Sequence, residues 1–302
     1  MAVRDFKQIS EMARAGGKRK TIGVLNACDV NVLEAVESAR DIADAILIGD
    51  PQEIREKLDE AGIRGDYRIE APGEDGDVVA KAAELVHAGE IHMLMKGKIS
   101  TGDMFKGIFK KETGLRGGQL MSHLVFKEIP GARKIIGITD GALSIQPSCE
   151  DKKHILSNAL DFMHGIGYEC PNVAVLCAIE KVNPKMQETV DAAELKEAWK
   201  RGEFPGCNLE GPISYDIAVS AEVAARKGFD CAWCGDFDLL LVPSVVVGNI
   251  LGKCLVYTAK AKMGSIVLGC KVPIIMGSRG ASAEDKYNSI ALGVVYANLR
   301  KE

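Results

Sequence analysis

The sequence predicts an α/β fold, with doubly wound, mainly parallel sheets carrying helices on both faces, divided between two domains. Three observations lead there. Short runs dense in aliphatic residues alternate with longer amphipathic segments, which is the pattern of strands buried on both faces and joined by crossover helices. Capping residues stand where those helices would start, as at Asp29 and at Asp50-Pro51. At 302 residues, 47% of them hydrophobic, the chain is long for a single hydrophobic core, so two are expected.

Taken in order, the first strand is read at 21–27 (TIGVLNA), followed by a helix capped by Asp29 with Val32, Leu33, Val36 and Ala39 on one face. The second run, AILIG (45–49), leads into a helix that opens on the cap Asp50 with proline at its first position. A helix at 75–88 precedes the run IHMLMK (91–96), and another at 102–112 follows it. The turn GLRGG (114–118) and the segment EIPGARK (128–134) combine glycine, proline and charge, and mark the first crossing between domains. Beyond them come strands at 134–139 (KIIGIT), 172–179 (NVAVLCAI), 238–242 (DLLLV) and 272–276 (VPIIM). The helices read between and after these strands cover 149–164, 185–200, 215–227, 246–263 and 282–300.

Composition excludes several function classes. The 38 Lys plus Arg against 42 Asp plus Glu leave a formal net charge of −4, which does not attract nucleic acid or an anionic membrane. No apolar run reaches the roughly 18 to 20 residues that span a bilayer, and the opening MAVRDFKQIS lacks a hydrophobic signal core, so a cytoplasmic protein is expected. Nine cysteines are spread along the chain, several inside apolar runs such as those of Cys177 and Cys254, and read as reduced, buried thiols. Cys231 and Cys234 form a C-x-x-C pair, but no second pair lies at zinc-ribbon spacing.

Nucleotide fingerprints fail on position. GGKRKT (16–21) precedes the first strand, whereas a phosphate loop follows one. GNILGKC (248–254) has its glycines too close together and Cys254 where a magnesium-binding hydroxyl belongs. No G-x-G-x-x-G follows a strand.

Two strand-to-helix turns do carry anion chemistry. Lys96-Gly97-Lys98-Ile99-Ser100-Thr101 places lysines, a glycine and two hydroxyls at the start of a helix, where free N–H groups welcome an anion. After VPIIM, the turn supplies the hydroxyl of Ser278 and the planar fork of Arg279, with the carboxylate of Asp285 in the next helix. A plainer reading has Ser282 capping that helix, Arg279 pairing with Asp285 on the surface, and Ser278 merely turning the chain.

The chain resembles the phosphate acetyltransferase and phosphate butyryltransferase family, the butyryl branch most closely. The blocks that carry the resemblance run in order from MKGKISTGDMFKGIF (95–109) and SHLVF (122–126) to ITDGALSIQPSCEDKKHILSNAL (138–160) and AIEKVNPKMQETVDAAEL (178–195). They continue with GPISYDIAVSAEVAARKG (211–228), CGDFDLLLVPSVVVGNILGKCLVY (234–257) and VPIIMGSRGASAEDKYNSIAL (272–292). The resemblance implies reversible acyl transfer between an acyl-CoA and inorganic phosphate, by direct transfer in a ternary complex, with CoA as substrate and no metal or other cofactor. It implies an architecture related to isocitrate and isopropylmalate dehydrogenases, two α/β domains with a cleft between them. On this chain the first would comprise 1–133 together with 272–302, and the second 134–271.

Carried over, the family's catalytic serine, arginine and aspartate fall on Ser278, Arg279 and Asp285. Asp285 would take the proton of the CoA thiol, and Ser278 and Arg279 would donate to the developing oxyanion. Lys96, Ser100, Thr101, Arg116, Asn249 and Lys253 are the expected substrate-binding residues, with Asn249 and Lys253 four apart on one helix face. Arg116 reads equally as an exposed loop arginine. Asn158, Glu180, Asn183, Lys185, Asp216, Asp236 and Asp238 would line the cleft or else cap helices and bridge strands, and capping or bridging is preferred for the last three. His92, His123 and His154 read as structural.

Two other functions compete: an NAD- and metal-dependent hydroxy-acid dehydrogenase of related fold, and a noncatalytic acyl-CoA or acyl-phosphate sensor. A homodimer is expected, because the closing helix is apolar on several sides through Tyr287, Ile290, Ala291, Val294, Val295 and Ala297, and the resemblance agrees.

Overall fold

The computed structural model describes residues 3–277 and 280–300. The chain divides into two compact units, Phe6–Gln119 with Met263–Glu302, and Met1–Asp5 with Leu120–Lys262. The sequence places these changeovers later, near 133/134 and 271/272. The strand β5 (Ser122–Glu128) pairs antiparallel with β6 (Ile136–Thr139) and so joins the second of these units, while β10 (Lys262–Leu268) pairs antiparallel with β11 (Ile274–Ile275) in the first.

In the first unit, β1 (Lys20–Leu25), β2 (Ala43–Ile48), β3 (Arg68–Glu70), β4 (Met93–Lys96), β11 and β10 lie in the order β3-β2-β1-β4-β11-β10. Every pair but the last is parallel. The helix α11 (Ala283–Leu299) packs on both α1 (Phe6–Ala15) and α2 (Val30–Ser38). The helices α4 (Val78–His87) and α5 (Thr101–Phe109) form a second group, and α4 and α11 both cover β1. The chain builds outward from β1 to β3 and then returns to the other side of β1 as β4. The strand order therefore reverses between β1 and β4, and the crevice beyond their carboxyl ends is where such sheets bind ligands.

Local chemistry starts these helices as the sequence predicts. Asp29 accepts from the N–H of Val32 at 3.1 Å, and Asp50 from that of Glu53 at 2.8 Å with Pro51 at the first position of α3 (Pro51–Glu60). Ser282 and Asp285 form a reciprocal capping box at the start of α11.

The second unit orders its strands β5-β6-β9-β7-β8, with β7 (Asn172–Leu176), β8 (Asn208–Ile213) and β9 (Leu239–Leu241) parallel to β6. The helix α6 (Cys149–Gly165) packs on β5, β6 and α7 (Gln187–Lys200), and α10 (Val245–Tyr257) on β6. At Gly248 of α10 an added Cβ would lie 2.7 Å from the Cα of Gly141, so the helix approaches that backbone as only glycine allows.

The structure corrects several element readings. The helix predicted at 246–263 stops at Tyr257, and its last residues belong to β10, whose Gly264 and Ser265 sit within an otherwise apolar strand. The helix predicted at 215–227 breaks at Ser220 into Tyr215–Val219 and Ala221–Lys227, because Ser220 is extended and caps the second piece. β3, β5, β8, β10 and α1 were not among the predicted elements. Cys254, expected to be buried, is exposed, as is Cys170; all nine thiols are free. No helix among the described residues is long and apolar enough to cross a membrane.

Candidate active site

The site is built at the carboxyl ends of β1 and β4. After Leu25 the chain turns through Asn26, whose φ of 52° is left-handed, a conformation asparagine tolerates better than most residues. The backbone N–H of Gly97 donates to the carbonyl of Leu25 at 3.0 Å and that of Lys98 to the carbonyl of Asn26 at 2.8 Å, and the Asn26 side-chain Nδ2 donates to the carbonyl of Lys98 at 2.8 Å. The two loops are thus laced together by two backbone bonds and one side-chain bond. A Cβ at position 97 would lie 2.4 Å from the Asn26 carbonyl oxygen, so this close approach requires glycine.

From the laced loops two helices depart. Asp29 caps α2, and Ser100 caps α5 by accepting from the N–H of Asp103 at 3.0 Å while donating to that carboxylate at 2.6 Å. Between them lies a cavity of about 530 Å³, lined by Asp29, Asn31, Lys57, Lys96, Lys98 and Ser100 among others. Lys57 pairs with Glu60 at 2.6 Å and Lys98 with Glu53 at 2.9 Å, so both ammonium groups are held at the rim by exposed carboxylates that an anionic ligand can replace. Burial pushes the Cys28 thiol up to about 12, with the neighbouring Glu53 acting in the same direction, so this cysteine is a thiol rather than a thiolate at neutral pH.

A smaller recess of about 30 Å³ adjoins this cavity and shares Asp29, Lys96 and Gly97 with it. Its other walls are Val32, Met95, Gly277 and Lys286. The register explains the assembly: Leu25 pairs with Lys96, and Met95 with Ile275, so three strands end at one level.

Of the predicted residues, Lys96 and Ser100 line the larger cavity and Thr101 follows at the first position of α5. Ser278 and Arg279 lie outside the described residues. Asp285 is buried rather than on the surface: its Oδ1 accepts from the N–H of Met263 at 2.8 Å and its Oδ2 from that of Ser282 at 3.3 Å. Arg116 lines neither cavity; it is exposed, with its guanidinium 5.8 Å from the ring centre of Phe109. Asn249 and Lys253 are exposed on α10, in the second unit.

Other polar candidates have structural work. Asp238 accepts from Lys134 at 2.6 Å and from the N–H of Asn172 at 2.8 Å, and Arg133 pairs with Asp236 at 3.3 Å. Lys227 sits between Asp216 at 2.8 Å and Glu180 at 3.4 Å. Its hydrogen bond to Asp216, followed by that of Ser214, holds the Asp216 carboxyl down at about 2. Asn158 donates to Leu120 and Ser122, the Asn183 side chain accepts from the N–H of Lys185, and His92 accepts from Thr21. Sequence reading missed Lys286 and assigned Asp29 only a capping role. The available signal for Lys286 was a lysine in the first turn of a helix, against the helix dipole.

Chemically, the arrangement offers two adjoining compartments, each bordered by ammonium groups and a helix start, with apolar walls from Val30, Ile99 and Met95.

Comparison with known proteins adds the family context. Residues 70–294 match the family model described as "Phosphate acetyl/butaryl transferase". A phosphate butyryltransferase from Clostridium acetobutylicum is 38% identical over 298 residues, covering 98% of this chain and 99% of the relative. A phosphate acetyltransferase from Thermotoga maritima is also 38% identical, over 296 residues, covering 97% and 99%. Among solved structures, a branched-chain phosphotransacylase from Enterococcus faecalis V583 superposes with a TM-score of 0.80 at 28% identity, covering 94% of this chain and all of the other.

Proposed function

This chain belongs to the phosphate acetyl- and butyryltransferase family, and on that premise we propose that it transfers a short acyl group reversibly between CoA and inorganic phosphate. The observation that carries the reading is the paired compartment at the β1/β4 reversal, where lysines and two helix starts border one cavity large enough for a thioester arm and a recess beside it.

In the forward direction a phosphate oxygen attacks the thioester carbonyl carbon. The C–O bond forms, negative charge collects on the carbonyl oxygen, and the C–S bond then breaks to release CoA as thiolate, which takes a proton. In reverse, a thiol with a pKa of about 8.5 must lose that proton, and a carboxylate base assists. Asp285 is our choice for this base, with Ser278 and Arg279 as donors to the oxyanion. Lys96, Ser100 and Thr101 would bind the anionic parts of the substrates, with Arg116, Asn249 and Lys253 as further contacts. We take the enzyme to need no metal or other cofactor, to act in the cytoplasm and to work as a homodimer. No free cysteine is assigned a covalent step.

The butyryltransferase and the acetyltransferase named above are both 38% identical to the chain, so acyl length is a question for assay. Thioester absorbance at constant protein should fall with butyryl-CoA or a similar short acyl-CoA only when phosphate is added. Equal loss without phosphate would make the protein a hydrolase, and binding without turnover a sensor; either result overturns the proposal.

A further inference from the structure

We propose that Lys286 is a phosphate-binding residue, presenting a buried ammonium from the first turn of α11 to inorganic phosphate in the smaller recess. The proposal rests on the acyl-transfer reading above and adds which compartment takes which substrate.

Lys286 is only 5% exposed and lines the recess together with Lys96 and Gly97. Its Nζ donates to the carbonyl of Ala281 at 2.8 Å, which uses one of three protons. Among the described residues, no ion pair joins it to a carboxylate within 4.0 Å. The position is electrostatically adverse twice over. A buried ammonium has lost its hydration, and the start of a helix carries positive partial charge, which favours acids and disfavours lysine. Ordinary packing gives no reason to keep a lysine there, whereas an anion in the recess offsets both costs.

The recess suits phosphate in placement. It is the small compartment, about 30 Å³, beside the large one of about 530 Å³, and the two share Asp29, Lys96 and Gly97, so an anion held there would lie next to a thioester in the larger cavity. Among the described residues on its wall Asp29 is the one carboxylate, and it already accepts from the N–H of Val32, which turns one of its oxygens toward its own helix. At Gly277 an added Cβ would lie 3.6 Å from the Cγ of Lys286, so the chain just past β11 runs beside the lysine stem. Gly277 directly precedes Ser278 and Arg279 in the chain, which links the recess to the residues proposed for catalysis.

The test uses Lys286→Met and Lys286→Arg, with two readouts: the separate KM values for phosphate and acyl-CoA, and calorimetric titration of each protein with inorganic phosphate alone. Lys286→Met should raise the phosphate KM about 10-fold or more, leave the acyl-CoA KM within about 2-fold, and weaken calorimetric phosphate binding in parallel. Lys286→Arg keeps the charge and should fall between, with the phosphate KM raised about 3-fold. An unchanged phosphate KM and phosphate affinity, with only thermal stability or kcat lowered, would make Lys286 a strut for the Ala281 turn and overturn the proposal. Should Lys286→Met fail to fold, an unaltered phosphate KM and affinity in Lys286→Arg overturns it equally. If the unmodified protein shows no phosphate-dependent thioester loss, the acyl-transfer reading fails, and the calorimetric comparison still decides whether Lys286 binds phosphate.

Discussion

Asp285 on α11 accepts the backbone N–H of Met263 at 2.8 Å, tying the first turn of the last helix to the beginning of β10. The same carboxylate closes the capping box with Ser282, so it holds backbone on two sides while standing next to Lys286 in the chain. A general base and a structural clasp are therefore assigned to one group, and the two roles separate in experiment.

Asp285→Asn keeps one carbonyl acceptor and loses the charge. As the thiol base, its replacement should lower kcat by about 10²-fold or more with the phosphate KM nearly unchanged. The clasp should cost about 1–2 kcal/mol, read as a lower melting temperature. Near-normal turnover across pH 6 to 9 with the melting temperature still reduced would leave Asp285 a cap only.

His123 on β5 supplies a pH dependence of stability. Its ring is buried, Nδ1 has no hydrogen-bond partner among the described residues, and burial holds its pKa below the usual histidine range, with Asp140 opposing that and Lys127 adding to it. Below about pH 6.5 the unfolded chain takes up a proton that the folded chain refuses, so stability falls as pH drops, by up to about 1.4 kcal/mol per pH unit. His123→Gln should flatten the melting temperature profile between pH 5 and 7, whatever its effect at pH 7.5. An unaltered slope would assign the acid sensitivity to other groups.

The homodimer is better argued from α10 than from α11. The apolar residues Ile290, Ala291, Val294, Val295 and Ala297 of α11 are buried, and α1 and α2 pack on that helix. By contrast α10 exposes Val246, Val247, Ile250 and Tyr257, with Ile250 at 63%. Covering such a patch is the usual reason for self-association. Sedimentation at micromolar concentration should give twice the chain mass, and Ile250→Asp should shift it to one chain. A monomeric unmodified protein would remove the dimer from the proposal.

What the sequence determined by itself is whatever depends on neighbours along the chain. The runs that became β1, β2, β4, β7 and β9 were legible because strands covered on both faces need continuous aliphatic residues. The caps Asp29, Asp50 and Ser282 were legible because a cap and the N–H it accepts lie three residues apart. For the same reason the turn from Lys96 to Thr101 could be read as a place for an anion. Tertiary structure decided the rest. β5 carries the buried polar residues Ser122, His123 and Lys127, which break the apolar signal, and β10 continues directly from residues that extend a helical pattern. Periodicity shows that α10 and α11 each have apolar residues, but only packing shows that one is covered and the other is not. Lys286 looks in the sequence like any solvated helix lysine; it becomes a buried wall of the recess because β4 and β11 end at the same level beside the start of α11, and burial depends on residues nearly two hundred positions away.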